Sequence, residues 1–335
     1  MNILLTGGAG YIGSHAAVVL LGAGHQLVVM DNFSNSHPDV VTRVEKITSQ
    51  KITLKHGDIR DTALVEHTLR HHHIDMVVHF AGLKAVGESV RQPLAYFANN
   101  SLGTISLLQA MDVTGVRSLV FSSSATVYGD PQYLPLDEAH PTSASNPYGR
   151  SKLHIEEMLA DLCRSDPSWA VACLRYFNPV GAHESGLIGE DPNGIPNNLI
   201  PYIARVASGQ LPELYVFGSD YPTTDGTGVR DYIHVMDLAE AHRAAVDYLP
   251  SHPGWQAFNL GTGQGYSVLE MVKAFEAASG QPVPYRMDPR RPGDVATCYA
   301  RAAKAATALN WVSRRDLNDM CASTWHFQQQ LTAHK

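Results

Sequence analysis

The chain is poor in cysteine, poor in charge, and has no long apolar run. Cys163, Cys173, Cys298 and Cys321 are the only cysteines in 335 residues and show no paired spacing. That pattern argues against a disulfide framework and predicts reduced thiols in a cytoplasmic protein. Charged residues make up 17% of the chain, with 25 Lys and Arg against 32 Asp and Glu, for a net charge of −7. A basic excess is therefore missing, and with it the electrostatic footprint of a nucleic-acid partner. No apolar stretch approaches the ~20 residues of a membrane span, so no membrane partner is expected. The first strand pattern begins at residue 2, and no signal peptide is expected. Internal repeats and low-complexity linkers are also lacking. The apolar content of 44%, at this length, predicts a sizeable core divided between two domains.

His71-His72-His73 is the one stretch that looks like a metal site. Three side chains from one helix end cannot converge without outside ligands, and no cysteine or acid cluster accompanies them. They read as a solvated helix C-terminus, where partial positive charge suits the helix dipole. No metal is expected.

The N-terminus carries the first motif. Residues 1–5 read as a short buried strand, and Thr6-Gly7-Gly8-Ala9-Gly10-Tyr11-Ile12-Gly13 follows. An apolar helix through Ala16, Val19, Leu20 and Leu21 comes next, closed by Gly22 and Gly24. Strand, glycine turn and helix in that order make a dinucleotide loop credible. Glycines let the backbone approach a pyrophosphate, and the helix N-terminus supplies N–H donors. Leu27-Val28-Val29-Met30 is a second strand ending in Asp31. An acid about 20 residues past the glycines suits the two ribose hydroxyls of NAD and repels the extra phosphate of NADP.

Strand and helix signals then alternate. Buried strands are expected at 2–6, 27–31, 52–55, 76–80, 118–122 and 170–176. Helical periodicity lies between them, as in Leu102-Ile105-Leu108 and Ile155-Met158-Leu159-Leu162. This predicts an α/β fold with a doubly wound, parallel, Rossmann-type sheet and a smaller α/β substrate-binding domain. Residues 1–177 and 232–258 are assigned to the NAD-binding domain. Residues 178–231 and 259–335 are assigned to the other; 178–231 is loop-rich, with one clear helix near Leu199 to Ala207. Ligands of such sheets bind beyond the carboxyl ends of the strands. Asp31, Asp58, Phe80, Ser122 to Ser124 and Tyr176 to Asn178 all fall at strand ends and should converge on one crevice.

Tyr148 and Lys152 supply the chemistry. In Asn146-Pro147-Tyr148-Gly149-Arg150-Ser151-Lys152, Pro147 suits a first helical turn. Tyr148 and Lys152 then share a helix face. An ammonium beside a phenol favours the phenolate and lowers the tyrosine pKa from about 10. Such a base can take a proton from an alcohol.

With these motifs in matching order, the chain resembles the UDP-glucose 4-epimerases, extended short-chain dehydrogenases/reductases, from Thr6 to about Ala303. Gly228-Val229-Arg230-Asp231-Tyr232-Ile233-His234-Val235 is a signature of extended members. The resemblance implies that Gly7, Gly10, Tyr11, Ile12, Gly13, Asp31, Asn32, Asn35, Asp58, Ile59, Phe80, Ala81, Lys84, Asn99, Tyr148, Lys152 and Phe177 hold NAD. It implies that Ser124, Tyr148 and Lys152 are catalytic, with Lys152 also on the nicotinamide ribose. Asn178, Asn198, Leu199, Val216, Phe217, Arg230, Arg291, Asp294 and Cys298 are implied to hold a UDP-sugar, together with Ser124. The implied reaction interconverts UDP-glucose and UDP-galactose through a 4-keto sugar, with no net redox change. A homodimer packed through helices near 100–113 and 150–164 is also implied. Sugar-nucleotide 4,6-dehydratases share the fold but carry an Asp-Glu pair after the serine, where this chain has Ala125-Thr126.

The chain departs from the family pattern at two places. Cys298 stands where the bacterial members nearest in pattern commonly place a tyrosine and others a small residue. It predicts a pocket wide enough for 2-N-acetylated sugars, unless an alignment shifted by one puts Tyr299 there. Arg301 stands where members place an aspartate, and the loss of a helix cap is expected.

Overall fold

A computed structural model describes residues 1–192, 194–291 and 293–333. The first half contains β1 (Asn2–Thr6), α1 (Tyr11–Gly22), β2 (Gln26–Asp31), α2 (Asp39–Thr48), β3 (Thr53–His56), α3 (Thr62–His71) and β4 (Met76–His79). It continues through α4 (Val86–Arg91), α5 (Pro93–Tyr96), a π-helical turn (Phe97–Leu102), α6 (Gly103–Thr114), β5 (Ser118–Ser124), α7 (Pro147–Ser165) and β6 (Ala170–Tyr176). The second half contains β7 (Asn178–Val180), α8 (Leu199–Ala207), β8 (Leu214–Phe217), β9 (Val229–His234), α9 (Val235–Tyr248) and β10 (Gly254–Leu260). β11 (Gly265–Ser267), α10 (Val268–Ser279), β12 (Tyr285–Asp288), β13 (Thr297–Cys298), α11 (Ala303–Ala308) and α12 (Leu317–Ala333) complete it.

Seven strands form one sheet in the order β10-β6-β5-β4-β1-β2-β3, and every neighbouring pair is parallel. Side chains alternate between two apolar layers, as period-2 pleating requires. Ile3, Leu5, Val29, Val78, Val120 and Leu174 enter one layer. Leu4, Val28, Met30, Val77, Phe121 and Cys173 enter the other. Burial on both faces explains why β6 reads as a nearly continuous apolar run, AVACLRY. Strand order reverses between β1 and β4, the switch point at which such sheets bind ligands.

The smaller part has β9 at its centre, flanked by β11 and β13, with β7 also on β9. β8 and β12 form a separate parallel pair. Its core joins α8, α10 and α12 through Ile203, Phe275 and Met320. α10 opens with a capping box between Ser267 and Glu270, which satisfies two of the orphan donors of its first turn.

The structure shifts two expected boundaries. Residues 232–234 belong to β9 and to the smaller sheet, so the chain returns to the large sheet only at α9 and β10. β10 also extends to Leu260, two residues beyond the expected limit of 258. β8, β12 and the helical run 86–102 were not anticipated. They are short or polar, and their pairing is decided by partners distant in sequence. His71 and His73 are exposed, as expected of a helix end, whereas His72 is tucked against the body of the protein and burial lowers its pKa.

Several other histidines are interior, and four of them are strongly affected. Burial pushes His15, His79 and His234 down to about 3 and His242 down to about 4. His79 is held between Thr6 Oγ1 at 2.6 Å and Thr104 Oγ1 at 3.0 Å. These rings are neutral in the folded chain, while in the unfolded chain they take up protons near pH 6.5. Stability from them is complete above pH 6.5 and is lost as pH falls from there toward 3, at up to about 1.4 kcal/mol per pH unit for each ring. The urea midpoint should therefore hold between pH 7 and 8 and drop steeply between pH 6.5 and 4. An unchanged midpoint at pH 4.5, measured by circular dichroism, contradicts neutral burial.

Candidate active site

The glycine turn lies against the end of β4. Gly7 has φ +69°, and a Cβ there would meet Ala81 N at 2.6 Å. A Cβ on Gly13 would meet Gly7 O at 2.6 Å. Only glycine permits either approach. Behind Gly10, the first turn of α1 has no side-chain cap, so its N–H groups are available to an anion. Ala81 N–H donates to Thr6 O at 3.0 Å, joining β1 and β4 at the switch point.

Asp31 closes β2 at 8% exposure. Its Oδ2 accepts from Ala9 N at 3.0 Å, and its Oδ1 from Phe33 N and Ser36 Oγ at 2.9 Å each. One carboxylate thus organises the glycine turn and its own loop. Asp58 accepts from Asn32 Nδ2 at 2.9 Å, and from Arg60 Nε and Nη2 at 2.8 and 2.7 Å. The Arg60 guanidinium holds the Asp58 carboxyl well below the usual range. Ile59 points into the core beneath the sheet and leaves its main chain to the crevice. Phe80 rests on the His242 ring at 4.8 Å. Asn35 is exposed. Asn99 Nδ2 donates to Asn100 Oδ1 at 3.1 Å, and Lys84 Nζ donates to Glu190 Oε1 at 2.6 Å.

Beyond β5 lie the groups able to move a proton. Asn146 caps α7 by accepting from Gly149 N at 2.9 Å, and Pro147 occupies the first turn. This brings Tyr148 to the end of β5 beside Ser124, whose Oγ accepts from Thr126 N at 3.2 Å and Thr126 Oγ1 at 2.9 Å. Lys152 Nζ donates to Ser122 O at 2.6 Å and sits 4.7 Å from the centre of the Phe121 ring. The structure corrects one expectation here. Burial raises the Tyr148 pKa, partly offset by the Ser124 hydrogen bond. Lys152 does not offset that burial; its Nζ is turned to the Ser122 carbonyl. Burial also brings Lys152 itself down to about 8.

The residues expected around a nucleotide sugar lie on several elements. Asn178 and Asn198 are exposed, Leu199 is half-buried, and Phe177 is buried. The side chain of Val216 is buried in the smaller core, so only its main chain can face a ligand. Arg291 Nε donates to Asp294 Oδ2 at 3.0 Å, with the guanidinium 4.9 Å from the centre of the Phe217 ring. Arg230 bonds the Val229 carbonyl at 2.9 Å. Arg230 also reaches Ala296 O at 3.5 Å, two residues beyond Asp294. Cys298 pairs in register with Arg230 and packs with Phe177, Ala125 and Leu153. The Tyr299 ring turns the other way, 3.7 Å from the Cβ position of Gly265. Cys298 and Ala125, the residue after Ser124, thus pack against one cluster. Arg301 precedes the cap position of α11, which is Ala302 and carries no side-chain cap. The missing cap thus belongs to Ala302 and not to Arg301, whose N–H donates to Leu136 O at 2.6 Å.

Three functional supports escaped the sequence reading. Asn100 bonds both Leu83 N and Leu83 O, and Ser151 Oγ on α7 at 3.1 Å. The π-helical turn that carries Asn100 is a feature often found at sites. Glu156, one turn beyond Lys152, is bound by Arg175 Nε and Nη2 and by the Ser123 hydroxyl. Arg175 Nη1 reaches Tyr128 Oη at 2.9 Å, and Tyr128 reaches Asn259 Oδ1 at 2.6 Å. An arginine inside an otherwise apolar strand was the available signal.

Removing Glu156 strands a buried guanidinium. Glu156→Ala should cost about 3–5 kcal/mol by urea denaturation, whereas the double change Glu156→Leu/Arg175→Met should recover most of that loss. A loss below 1 kcal/mol in the single variant contradicts the pairing.

Residues 4–324 match the family model described as GDP-mannose 4,6 dehydratase. The acid pair of dehydratase chemistry is missing, however: Ala125 and Thr126 follow Ser124 and form a single 3-10 turn. Full-length relatives are of another kind. A UDP-glucose 4-epimerase of Bacillus subtilis (strain 168) is 57% identical over 98% of this chain and 97% of its own. The human UDP-glucose 4-epimerase is 54% identical over 98% and 97%. The crystal structure of the enzyme of that name from Stenotrophomonas maltophila, with bound NAD and formylated UDP-arabinopyranose, superposes with a TM-score of 0.98 at 52% identity over 100% of both chains. That from Bifidobacterium longum, in complex with NAD+ and UDP, gives 0.97 at 52% over 98% of both. Sharing more than half its residues with these relatives along nearly its whole length, the chain belongs to the UDP-glucose 4-epimerase family of extended short-chain dehydrogenases/reductases.

Proposed function

We propose that the chain interconverts UDP-glucose and UDP-galactose by inversion at sugar carbon 4, as an NAD-dependent isomerase. The observation that carries this reading is the set of Ser124, Tyr148 and Lys152 at the carboxyl end of β5, Lys152 buried and the other two half-buried, with no acid after the serine. The glycine turn, the uncapped α1 and Asp31 fit NAD: a Cβ at Gly7 or Gly13 would fill the cradle. The seven-stranded sheet holds the cofactor and the β9 sheet with α8, α10 and α12 holds the UDP-sugar. When bound, NAD accepts the hydride from carbon 4 and returns it to the opposite face of the 4-keto sugar.

Tyr148 Oη takes the proton of the 4-hydroxyl and later gives it back. Ser124 Oγ keeps the phenol and the sugar oxygen in one hydrogen-bonded line. Lys152 would bring its positive charge to the bound nicotinamide ribose and offset the burial of Tyr148. Arg230 and Arg291 hold the diphosphate through guanidinium forks. The sugar itself meets few fixed partners, so the ring turns while the nucleotide stays.

The chain acts as a homodimer, in galactose metabolism, in the cytoplasm. Supporting the dimer, Leu102, Ile105 and Val113 leave an apolar face exposed along α6, and such faces mark protein contacts. Among the described residues no helix is long and apolar enough to cross a membrane.

Purified protein given UDP-galactose should form UDP-glucose without net NADH. Tyr148→Phe should bind NAD and UDP as the parent does and lose turnover by about 10³-fold or more, because proton abstraction and return are both lost. A dehydrated product, or a Tyr148→Phe enzyme near the parent rate, refutes the assignment.

A wider pocket extends the substrate range. Cys298 packs in one cluster with Ala125, the residue after Ser124, and is much smaller than tyrosine, which leaves space beside the sugar for a 2-N-acetyl group. UDP-N-acetylglucosamine and UDP-N-acetylgalactosamine are then interconverted as well. Cys298→Tyr should abolish turnover of both while sparing UDP-galactose. No activity of the parent enzyme on either substrate, at high enzyme concentration, eliminates this extension.

A further inference from the structure

Glu190 has no role in the chemistry above, yet it joins two residues that do. It lies in the loop between β7 and α8, and its side chain is 9% exposed. Its Oε1 accepts from Lys84 Nζ at 2.6 Å and from Asn198 Nδ2 at 2.6 Å. Lys84 follows β4 at the switch point of the large sheet. Asn198 immediately precedes α8 in the smaller part. The carboxylate also acts on the Tyr11 phenol, which heads α1 and donates to Gly181 O at 2.6 Å beyond β7.

Two details separate this from an ordinary ion pair. A surface pair of Lys84 with a glutamate is worth little when the lysine is 44% exposed. Here the acceptor is nearly buried and one oxygen serves both walls of the cleft. Asn198 also departs from habit. At a cap position, asparagine ordinarily accepts from the first turn of its helix. Asn198 makes no such bond, and its amide is turned to Glu190.

We propose that Glu190 is a positioning residue that clasps the two walls of the cleft, through Lys84 on one and Asn198 on the other, at the spacing that lets NAD and the UDP-sugar be held together. This rests on the function proposed above. The clasp is built of one charge-assisted bond and one amide bond, and substitutions separate them. Glutamine keeps an acceptor oxygen for Asn198 and loses the charge that draws Lys84; alanine loses both.

The test uses the holoenzyme and two binding measurements. In Glu190→Ala, the Kd for UDP by calorimetry should weaken about tenfold, the scale of one lost charge-assisted hydrogen bond. Exchange of bound NAD against labelled NAD should also accelerate about tenfold. Turnover at saturating UDP-galactose should stay within about threefold, so that KM moves and kcat does not. Glu190→Gln should restore UDP affinity and leave NAD exchange fast. General loosening does not produce that split. Parental UDP affinity and NAD exchange in Glu190→Ala overturn the proposal, as does a glutamine variant that rescues neither or both. If the parent protein binds both ligands without epimerising, the functional reading fails alone, because the two binding measurements still decide on Glu190. A parent that binds neither ligand overturns both.

Discussion

The ion pair of Glu156 and Arg175, at 2% and 5% side-chain exposure, is the interaction on which the rest of the site depends. Two charges in an apolar layer are costly unless every lone pair and proton is used. Here both Glu156 oxygens and all three Arg175 nitrogens are bonded. Ser123, Tyr128 and Asn259 complete the set, and Asn259 Nδ2 donates onward to Leu136 O at 2.9 Å. The pair fixes α7 against β6 one turn below Lys152, and through Leu136 it reaches the β13 segment that carries Cys298. The proton-handling groups and the wall of the sugar pocket thus share one rigid foundation.

A second carboxylate performs the same service in the smaller part. Asp231 is fully buried, and burial raises its pKa. Four bonds oppose that: from Thr262 N and Oγ1, Gly263 N and Ala300 N, at 2.6 to 3.0 Å. They hold the loop after β10 and the strand end after β13 against β9. The neighbouring Arg230 is aimed by this arrangement. Loops that carry function are here fixed by single buried acids, in keeping with the rule that a buried polar group must be fully bonded.

What could be read from the sequence was what local pattern determines. Six of the seven strands of the large sheet, the glycine turn, Asp31 and the Tyr148–Lys152 face are each written within one element. Period, punctuation and spacing suffice for them. The identities of β8 and β12 depend on each other and on nothing nearby, so no local signal marks them. The direction of the Lys152 ammonium was equally hidden. It is decided by the Ser122 carbonyl, 30 residues away in sequence, while the burial that raises the Tyr148 pKa comes from the packed fold. Glu190 and Asn100 escaped for the same reason, since their partners lie 106 and 51 residues distant. Cys298 was the opposite case. The sequence posed the choice between Cys298 and Tyr299, and strand alternation turns their two side chains to opposite sides.

The chain path carries a consequence for synthesis. β10 is an edge of the seven-stranded sheet and pairs along all of β6, from Ala170 to Tyr176. Between the two strands the chain leaves to build β7, α8, β8 and β9. Until residue 260 has left the ribosome, β6 presents an apolar strand with an unpaired edge, the kind of template on which chains join to one another. A nascent chain of this fold is therefore most in need of a chaperone during the emergence of residues 177–260, and a ribosome stalled in that interval holds out a sticky edge that the finished protein never shows.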